Sequence, residues 1–415
     1  MTRQNKKWHT TEPLYDYDAC SLYPSAVHRL KLATGKPKVI PDEWCGLNNK
    51  YIIDHSMDEQ QLIPSENKFI SAYIVDIEIT KVGKELAFPI IMHKTDKGNL
   101  NCNDCCKMTV DNIELEDLIK FQQIEFKIIR GYYWDGPKSD LFSNEMKRIY
   151  DLRVQYKKQK NPLQLILKLL MNSTYGKTIQ KPIKTEQIYK YKTRYSKDDD
   201  GNTIKVQEAA RYNRKNNKNI RMYYDISKNI TCFEVDKGFD DFYVPNFIGV
   251  QILSMSKRIM NEVMCLAEDL GIMIYYQDTD SMHIPVKDVP KLEKHYEEIY
   301  GRVLRGSNMG QFHPDFESDK IKGDLKSVEA YFLGKKAYCD KLMNDNGEVD
   351  FHLRLKGIPN NLLESEKEDP LELYKYMYEG GAYKFNLLKL KPSFEMTKEM
   401  TIKTRTEFNR KIQFN

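Results

Sequence analysis

Two acidic residues, Asp278 and Asp280, lie one residue apart within the apolar stretch IMIYYQDTDSMHI. Carboxylates beside a hydrophobic segment are unfavourable unless a cation pairs with them, although Asp and Ser also favour a solvated hairpin turn. A third acid, Asp18, ends the alternating segment LYDYD, which is typical of a strand. Converging carboxylates predict a site for Mg²⁺, which prefers carboxylate oxygens and substrate phosphates, and two such ions promote displacement at phosphorus. Asp16 competes with Asp18 for this role.

A polar stripe in the segment KLLMNSTYGK adds a second kind of chemistry. Lys168, Asn172 and Tyr175 are spaced to lie on one face of a helix. Such spacing usually reflects core packing, but Lys and Asn are poor core residues. We therefore interpret the stripe as a nucleotide contact, with Lys168 at the phosphates and Tyr175 against the base or the sugar.

The segment FLGKKAYCD offers a cation and a phenol on one predicted strand. Lys336 and Tyr338 alternate, so a strand would place both side chains on the same face. Together they could hold a phosphate backbone, although many ordinary strands carry the same pair.

Helices and strands in mixed order must position these residues. Thr109 precedes an acidic, helix-forming run and predicts a helix start there, and Gly271 closes a long amphipathic helix directly before the acidic pair. Residues 177–230 are polar and basic, with 14 Lys or Arg against 6 Asp or Glu, and suit a β-rich insertion or a loop insertion. The remaining predicted elements are strands at 14–18, 69–79, 86–91 and 126–134, a helical hairpin with a basic tip at 139–178, a helix near 290–304 and a charged helical tail after 359.

Composition limits the class of protein. The chain has 415 residues and a formal net charge of +5, which permits a nucleic-acid partner without requiring one. Eight cysteines in no regular framework indicate a reduced, intracellular protein, and no apolar run approaches the roughly 18 to 20 residues that span a bilayer. We therefore expect a soluble, cytoplasmic protein without a membrane partner. The thiols of Cys102, Cys105 and Cys106, with His93 as a fourth ligand, could bind zinc, and a plain reduced loop is the alternative.

Four segments, in this order along the chain, resemble the motifs of family B DNA polymerases. DACSLYPS is similar to motif A, KLLMNSTYGK to motif B, YQDTDS to motif C and KKAY to the Lys-x-Tyr motif that follows. Three further segments resemble the protein-primed subgroup of phages, adenoviruses, linear plasmids and viral mobile elements. These are MTVDNIELEDLIKFQQIEFKIIRGYYW, the insertion between motifs B and C, and VPNFIGVQILSMSKR before motif C.

The resemblance implies an α+β, right-hand polymerase fold. This fold has a palm of antiparallel sheet with helices, helical-hairpin fingers, a small thumb and, in the subgroup, two insertions that contact the priming protein and encircle DNA. The implied domains are palm at 1–30, a first insertion similar to a terminal-protein region at 31–138, fingers at 139–179, a second insertion at 180–244, palm again at 245–358 and thumb at 359–415.

The resemblance also implies a metal site. Asp18 and Asp280 would ligate two Mg²⁺ ions, for which Mn²⁺ could substitute, and the backbone carbonyl of Ala19 would be a further ligand. Asp278 would lie close by, and the three aspartates are the implied catalytic residues.

Nucleotide and primer contacts follow from the same resemblance. Tyr23 would stack under the incoming sugar and exclude a 2′-hydroxyl. Gln164 stands where a lysine is often found, so the triphosphate contacts fall on Arg153, Lys157 or Lys160, and the sequence leaves this choice open. The implied nucleotide-binding residues are Ala19, Ser21, Leu22, Tyr23, Lys160, Lys168, Asn172 and Tyr175, and the implied primer- or DNA-binding residues are Gly176, Ser281, Lys336 and Tyr338.

The implied activity is template-directed DNA synthesis, in which a primer 3′-hydroxyl, or a hydroxyl of a terminal protein, attacks the α-phosphate of a deoxynucleotide. The expected partners are DNA template and primer, dNTPs and a terminal protein. The expected compartment is a host cytoplasm or viral factory, and an origin in a mitochondrial linear plasmid stays open. Only 17 residues precede Asp18, so we expect no exonuclease domain in this chain and a separate exonuclease chain as a further partner. The alternatives are a non-catalytic fragment that binds DNA or terminal protein, and one half of a split polymerase.

Overall fold

A sheet of eight antiparallel strands holds the predicted catalytic aspartates. Its strand order is β17 (Tyr276–Asp278), β18 (Ser281–Pro285), β2 (Leu14–Ala19), β20 (Lys326–Gly334), β21 (Ala337–Met343) and β22 (Val349–Leu355), with β1 (Trp8–Thr10) beside β20 and β19 (Phe312–Pro314) beside β2. In β2, the period of two buries Tyr17 and Ala19 and directs Asp16 and Asp18 to the opposite face. The acidic side chains therefore share one face of the sheet.

The computed structural model describes residues 1–47, 70–96, 98–197, 200–366, 369–386, 393–396, 401–405 and 409–414. Residues 1–164 and 251–415 form one compact unit, and residues 165–250 form a second. Within the described ranges, the α-helices are α1 (Leu22–Arg29), α2 (Asn112–Gln122), α3 (Leu141–Lys158), α4 (Leu163–Thr178), α5 (Glu208–Asn216), α6 (Phe239–Phe242), α7 (Asn246–Asp269), α8 (Val289–Tyr300), α9 (Asn360–Glu366) and α10 (Pro370–Tyr378). In this part of the chain, no helix combines the length and the apolar character needed to cross a bilayer.

A second antiparallel sheet lies in the first unit. Its strand order is β4 (Lys38–Val39), β10 (Ile124–Trp134), β6 (Ala72–Val82) and β9 (Lys107–Asp111), with β5 (Gly46–Leu47) beside β10. Alternate residues of β6, including Tyr73, Val75 and Ile77, are buried, and α2 packs Leu115 and Leu118 into the same core. Two shorter pairs are β3 (Leu32–Ala33) with β11 (Lys138–Ser139), and β7 (Met92–Thr95) with β8 (Gly98–Asn101).

Two sequence predictions in this region are wrong. α2 begins three residues after Thr109, because Asp111 caps the helix and accepts a hydrogen bond from the Glu114 amide at 2.8 Å. Residues 86–91 form no strand. Their backbone amides donate to side chains instead. The amides of Ile90 and Ile91, for example, donate to Gln122 Oε1 at 2.8 and 2.9 Å. These amides therefore need no neighbouring strand as a hydrogen-bond partner.

The second unit contains a three-stranded antiparallel sheet with the order β12 (Thr185–Tyr191), β16 (Ile230–Asp236) and β15 (Ile220–Asp225), and a hairpin of β13 (Arg194–Lys197) and β14 (Thr203–Val206). α5 covers one face of this sheet, where Ala209, Tyr212, Phe233 and Val235 form a small core. Of the two alternatives predicted for residues 177–230, the β-rich one is therefore confirmed.

The end of the chain is less helical than its composition predicts. After α9 and α10, two hairpins follow, β23 (Tyr383–Asn386) with β26 (Asn409–Ile412) and β24 (Ser393–Met396) with β25 (Ile402–Arg405). The predicted helical tail is wrong beyond Tyr378. Phe385 is fully buried against Tyr374 and Met377 of α10, and this burial of one face of a strand outweighs the helix preference of the charged residues.

Candidate active site

A tight turn between β17 and β18 brings Asp280 to the end of β2. Within the turn, the Asp280 amide donates to the Asp278 carbonyl at 2.7 Å. On the other side, the Ala19 amide donates to the Asp280 carbonyl at 2.8 Å, and Ser281 lies opposite Asp18 in the register of β18 with β2. The structure thus brings all five of these predicted site residues to one end of the sheet.

Acidic groups crowd around Asp18. Burial, reinforced by the charges of Asp280, Asp315 and Asp16, raises the pKa of the Asp18 carboxyl to about 8. Burial and the neighbouring carboxylates raise the pKa of Asp280 as well. Carboxylates that interact in this way do not all ionise unless a proton or a cation compensates their charge.

Asp278 differs from the other two aspartates because it already has a cation. Lys336 Nζ donates to the two carboxylate oxygens of Asp278 at 2.8 and 3.0 Å. Burial alone would raise the pKa of Asp278, but the bonds and the charge of Lys336 outweigh burial and leave the pKa below its ordinary value. The Tyr276 hydroxyl donates to Asp278 at 3.3 Å and accepts the Lys336 amide at 2.9 Å. Lys336 and Tyr276 together hold the Asp278 side chain in place.

Lys336 and Tyr338 do not lie on one strand, contrary to the sequence prediction. Lys336 lies in the two-residue turn between β20 and β21 with a φ of 55°, because the chain reverses there before β21 begins. Tyr338 is only 6% exposed, and its ring centroid lies 4.7 Å from that of Tyr276 and 5.3 Å from that of His283. Tyr338 therefore packs against Tyr276, the residue that donates a hydrogen bond to Asp278. A contact of Lys336 or Tyr338 with a primer stays a prediction.

Sequence reasoning missed two neighbours of Asp16. Asp315 follows β19, and its amide donates to the Asp16 carbonyl at 2.9 Å. His283 is buried, with Nε2 3.1 Å from Asp340 Oδ2 and Nδ1 3.8 Å from Asp16 Oδ1. Burial opposes the charged imidazole, but these two carboxylates outweigh it and raise the pKa of His283. A histidine within an apolar strand was a usable signal, whereas β19 is too short for any periodic pattern to mark Asp315.

α3 presents two cations to the segment that follows β2. Ser21 has a left-handed backbone with a φ of 52°, and Arg153 Nη1 donates to Ser21 Oγ at 3.4 Å. Burial and the nearby carboxylates raise the pKa of the Cys20 thiol to about 11, and the charge of Lys157, which lies near this thiol, opposes the rise. Lys160 lies exposed in the turn after α3. Of the three cations that the sequence left open, Arg153 and Lys157 approach the site.

The other predicted nucleotide-binding residues lie on two helices. In α1, Leu22 is buried and Tyr23 is partly exposed. In the second unit, α4 holds the predicted nucleotide-binding residues Lys168 and Asn172, which are exposed, and Tyr175, which is partly exposed. Gly176, a predicted DNA contact, is also partly exposed. The polar part of the predicted stripe is thus available for binding rather than packed in a core.

The donor set at the end of β2 suits a hard divalent cation. The carboxylates of Asp18 and Asp280 and the peptide group of Ala19 lie together there, and Mg²⁺ is usually held by one or two carboxylates plus substrate phosphates. Among the described residues, no group of three or more His, Cys, Asp or Glu side chains is placed to hold a metal ion by itself. This statement includes the three cysteines of the CNDCC loop, whose thiols are free.

Comparison with known proteins gives the chain its relatives. Residues 2–266 match the family described as DNA polymerase type B, organellar and viral. A DNA polymerase of Kluyveromyces lactis is 24% identical over an alignment of 266 residues that covers 61% of this chain and 24% of that protein. Phi29 DNA polymerase in an orthorhombic crystal form has a TM-score of 0.58 at 15% identity, covering 100% of this chain and 61% of that chain. Phi29 DNA polymerase in a ternary complex with primer-template DNA and incoming nucleotide has a TM-score of 0.56 at 16% identity, covering 100% and 59%.

These matches establish the fold and the family. The chain spans 24% of the length of the curated relative and 61% of the length of the structural neighbour. The structural likeness confirms the predicted α+β, right-hand polymerase fold. Because the family match covers more than half of its residues, the chain belongs to the organellar and viral type B DNA polymerases.

Proposed function

We propose that the chain adds deoxynucleotides to a primer end under the direction of a DNA template. The observation that carries this proposal is that Asp18 and Asp280 lie close together at the end of β2. There, burial and the repulsion between the carboxylates raise the pKa of Asp18 to about 8. A site with this charge favours a cation. The Phi29 complex with primer-template DNA and incoming nucleotide supports DNA and dNTPs as the ligands.

The metal site is part of the proposal. Asp18, Asp280 and the Ala19 carbonyl would hold two Mg²⁺ ions, or Mn²⁺ in their place. Bound there, the ions would lower the pKa of the attacking hydroxyl and neutralise the leaving pyrophosphate. Lys336 neutralises Asp278, which leaves Asp18 and Asp280 as the carboxylates assigned to the cations.

The remaining assigned residues orient the nucleotide. We assign Arg153 and Lys157 to the triphosphate, because both lie near the segment after β2. The resemblance of its own segment to motif B is the ground on which we assign Lys168 a phosphate contact. Tyr23 would pack against the sugar and reject a 2′-hydroxyl, so that deoxynucleotides are preferred. Positioning and charge neutralisation by these side chains would carry most of the rate enhancement.

Protein priming is the finer part of the proposal. The segments between motifs A and B and between motifs B and C are similar to those of protein-primed polymerases, and each contains a sheet with a helix packed on it. We propose a terminal-protein hydroxyl as the first primer. A terminal protein and a separate exonuclease chain are the proposed partners, in a host cytoplasm or viral factory.

Primer extension by the purified chain tests the activity, with Mg²⁺, a labelled primer–template and dNTPs. Asp280→Asn keeps the shape of the side chain and removes its charge. We expect it to slow incorporation by about a thousandfold, or ~4 kcal/mol, and to leave DNA binding intact. Asp345→Asn is the matched control, because Asp345 lies between β21 and β22 with its side chain 79% exposed, and we expect the wild-type rate.

The outcomes separate the proposed activity from its alternatives. Extension by Asp280→Asn at the wild-type rate would show that the metal assignment is wrong. A wild-type chain that binds DNA but extends neither a DNA primer nor a terminal protein would be a non-catalytic binding fragment. Extension that appears only after a second polypeptide is added would identify half of a split polymerase.

A further inference from the structure

The loop of residues 305–311, between α8 and β19, contacts the segment that follows β2. The Cys20 amide donates to the Gln311 carbonyl at 2.7 Å, and the Gly310 amide donates to the Cys20 carbonyl at 2.9 Å. The Cys20 thiol also donates to the Gly306 carbonyl at 3.4 Å. Three polar groups of one residue are therefore bonded to this loop, which we call the bracing loop.

The residue after Cys20 has a strained backbone. Ser21 has a φ of 52° and a ψ of 55°, in the left-handed region that residues other than glycine seldom adopt. The Cys20 carbonyl belongs to the planar peptide group that ends at the Ser21 nitrogen, so the bond from Gly310 fixes the plane from which Ser21 turns. A strained conformation persists only where its surroundings hold it. The bracing loop therefore supports the turn at Ser21.

Hydrogen bonds within the bracing loop fix its own shape. Gln311 Oε1 accepts the Asn308 amide at 2.9 Å, and Gln311 Nε2 donates to the Val303 carbonyl at 3.3 Å. The Gly306 amide donates to the Phe312 carbonyl at 3.0 Å, which closes the loop at its base. The loop therefore offers its contacts to Cys20 from a preformed structure.

The same loop is bonded to α3. The Tyr150 hydroxyl donates to the Ser307 carbonyl at 3.1 Å, and Tyr150 is only 7% exposed. Arg153 lies three residues further along α3, on the same side of the helix as Tyr150. The direct bond from Arg153 to Ser21 Oγ is long, at 3.4 Å. The bracing loop thus connects the Ser21 turn with the helix that carries Arg153.

Gly310 allows the bracing loop to approach α1 closely. Its φ of 73° suits glycine, and a Cβ at this position would lie 2.3 Å from Ser25 Oγ. Ser25 is in α1 and only 2% exposed, so its side chain has little room to move away. Any side chain at position 310 would therefore push the loop away from α1 and weaken the bond from the Gly310 amide to Cys20.

We propose that the bracing loop is a positioning element for nucleotide binding, which holds the Ser21 turn and Arg153 at the separation that a triphosphate requires. The start of a helix and a guanidinium both attract phosphate, and here they belong to α1 and α3. Two separate segments bind a ligand more tightly when they are already held in place, because their ordering does not have to accompany binding. The inference rests on the proposed function for the identity of the ligand.

The fluorescence of methylanthraniloyl-dATP, titrated with the full chain and Mg²⁺ but no primer, measures nucleotide binding without turnover. We expect Gly310→Ala to raise the Kd at least about fivefold, because the loss of one ordinary hydrogen bond corresponds to about that factor. Gly301→Ala is the matched control. Gly301 has a similar φ of 63°, and no atom of the described residues lies within 4 Å of the added Cβ, so we expect the wild-type Kd.

Two further variants separate positioning from a general loss of structure. Gly310→Ala/Ser25→Ala removes the hydroxyl that the new Cβ would meet, and we expect it to recover most of the affinity. Tyr150→Phe keeps the buried ring and removes the bond to Ser307, and we expect the Kd to rise up to about fivefold. In primer extension, Gly310→Ala and Tyr150→Phe should raise the KM for dNTPs by the same factors with little change in kcat, because binding is lost equally before and during the reaction.

Three results would overturn the proposal. They are a Kd in Gly310→Ala equal to that in Gly301→Ala, the absence of any recovery in Gly310→Ala/Ser25→Ala, and a fall in kcat with an unchanged KM. If Gly310→Ala does not fold, Tyr150→Phe decides, and a wild-type Kd in that variant refutes the role of the loop. A wild-type chain that binds the nucleotide and extends no primer would refute the proposed activity, while the binding of the variants would still decide this inference.

Discussion

Arg258 of α7 forms a buried ion-pair cluster with α2, and its removal is the most direct test of the packing behind the site. The guanidinium donates to Asp117 Oδ1 at 2.7 Å, to Glu116 Oε2 at 2.8 Å and to the Ile113 carbonyl at 2.6 Å. Asp117 is 5% exposed, and burial raises its pKa to about 6 although Arg258 lowers it. α7 leads through Gly271 to β17, so the cluster also supports the strand before the acidic pair.

The expected loss follows from this burial. Arg258→Met keeps the length of the side chain and leaves Asp117 buried without its cation, and breaking a buried pair destabilises by ~3–5 kcal/mol. Glu116 is 43% exposed and adds little. In the variant, the folded-state pKa of Asp117 rises further above its unfolded value. The folded variant therefore holds that proton more tightly, and its deficit relative to wild type grows as the pH rises above about 6.

Urea unfolding followed by circular dichroism near pH 5 and pH 8 measures this difference in the free energy of unfolding. The control is Arg148→Met, whose pair with Glu145 is exposed on both sides and whose loss should stay within ~0.5 kcal/mol. Arg258→Met/Asp117→Asn removes the stranded charge and is expected to recover part of the stability. A loss below ~1 kcal/mol in Arg258→Met, or the same loss at both pH values, would refute the reasoning.

Three further changes test the site. Lys336→Met removes the cation from Asp278 and is expected to raise the pKa of that carboxyl, measured by carbon-13 NMR titration of aspartate side chains. Arg153→Gln is expected to raise the KM for dNTPs about tenfold with a smaller change in kcat, measured by steady-state primer extension, because a charge-assisted hydrogen bond contributes ~1.5–3 kcal/mol. Asp315→Asn removes a like charge near Asp18 and is expected to lower the pKa of Asp18 from about 8 in the same NMR titration.

Each of these has a result that would contradict it. Lys335→Met, in the same turn as Lys336, is the control for the first, and a change in the pKa of Asp278 as large as that in Lys336→Met would contradict the assignment. An unchanged KM for dNTPs in Arg153→Gln would mean that another basic residue contacts the triphosphate. A pKa of Asp18 that fails to fall in Asp315→Asn would remove Asp315 from the acidic group.

Elements with a long periodic pattern were predictable from the sequence. The helix of α7 and the strand of β10 repeat their apolar residues often enough that their types and approximate limits follow from spacing alone. Shorter apolar runs were not predictable in this way. Residues 86–91 read as a strand, but side chains from distant segments satisfy their backbone amides. No local pattern records such partners.

The residues of the candidate site were likewise predictable only where a short segment of chain carries the signal. Residue types and spacing identified Asp18, Asp278 and Asp280, because a carboxylate at a strand end or in a tight turn is visible within a few residues of chain. The spacing of Lys336 and Tyr338 predicted that both lie on one strand, but Lys336 lies in the two-residue turn before β21. That turn depends on how β20 and β21 pair, and the local alternation is the same with or without it.

The sequence by itself therefore determined which chemical groups are present and in what order. These groups are three acids, the polar stripe that begins at Lys168 and the motifs of a polymerase. Only the tertiary structure decided how their charges are shared. Lys336 reaches Asp278 from 58 residues away along the chain and neutralises it, while Asp16 and Asp315 crowd Asp18 instead. The reason is physical. Coulombic partners are set by sheet register and burial, and spacing within one segment carries no information about either.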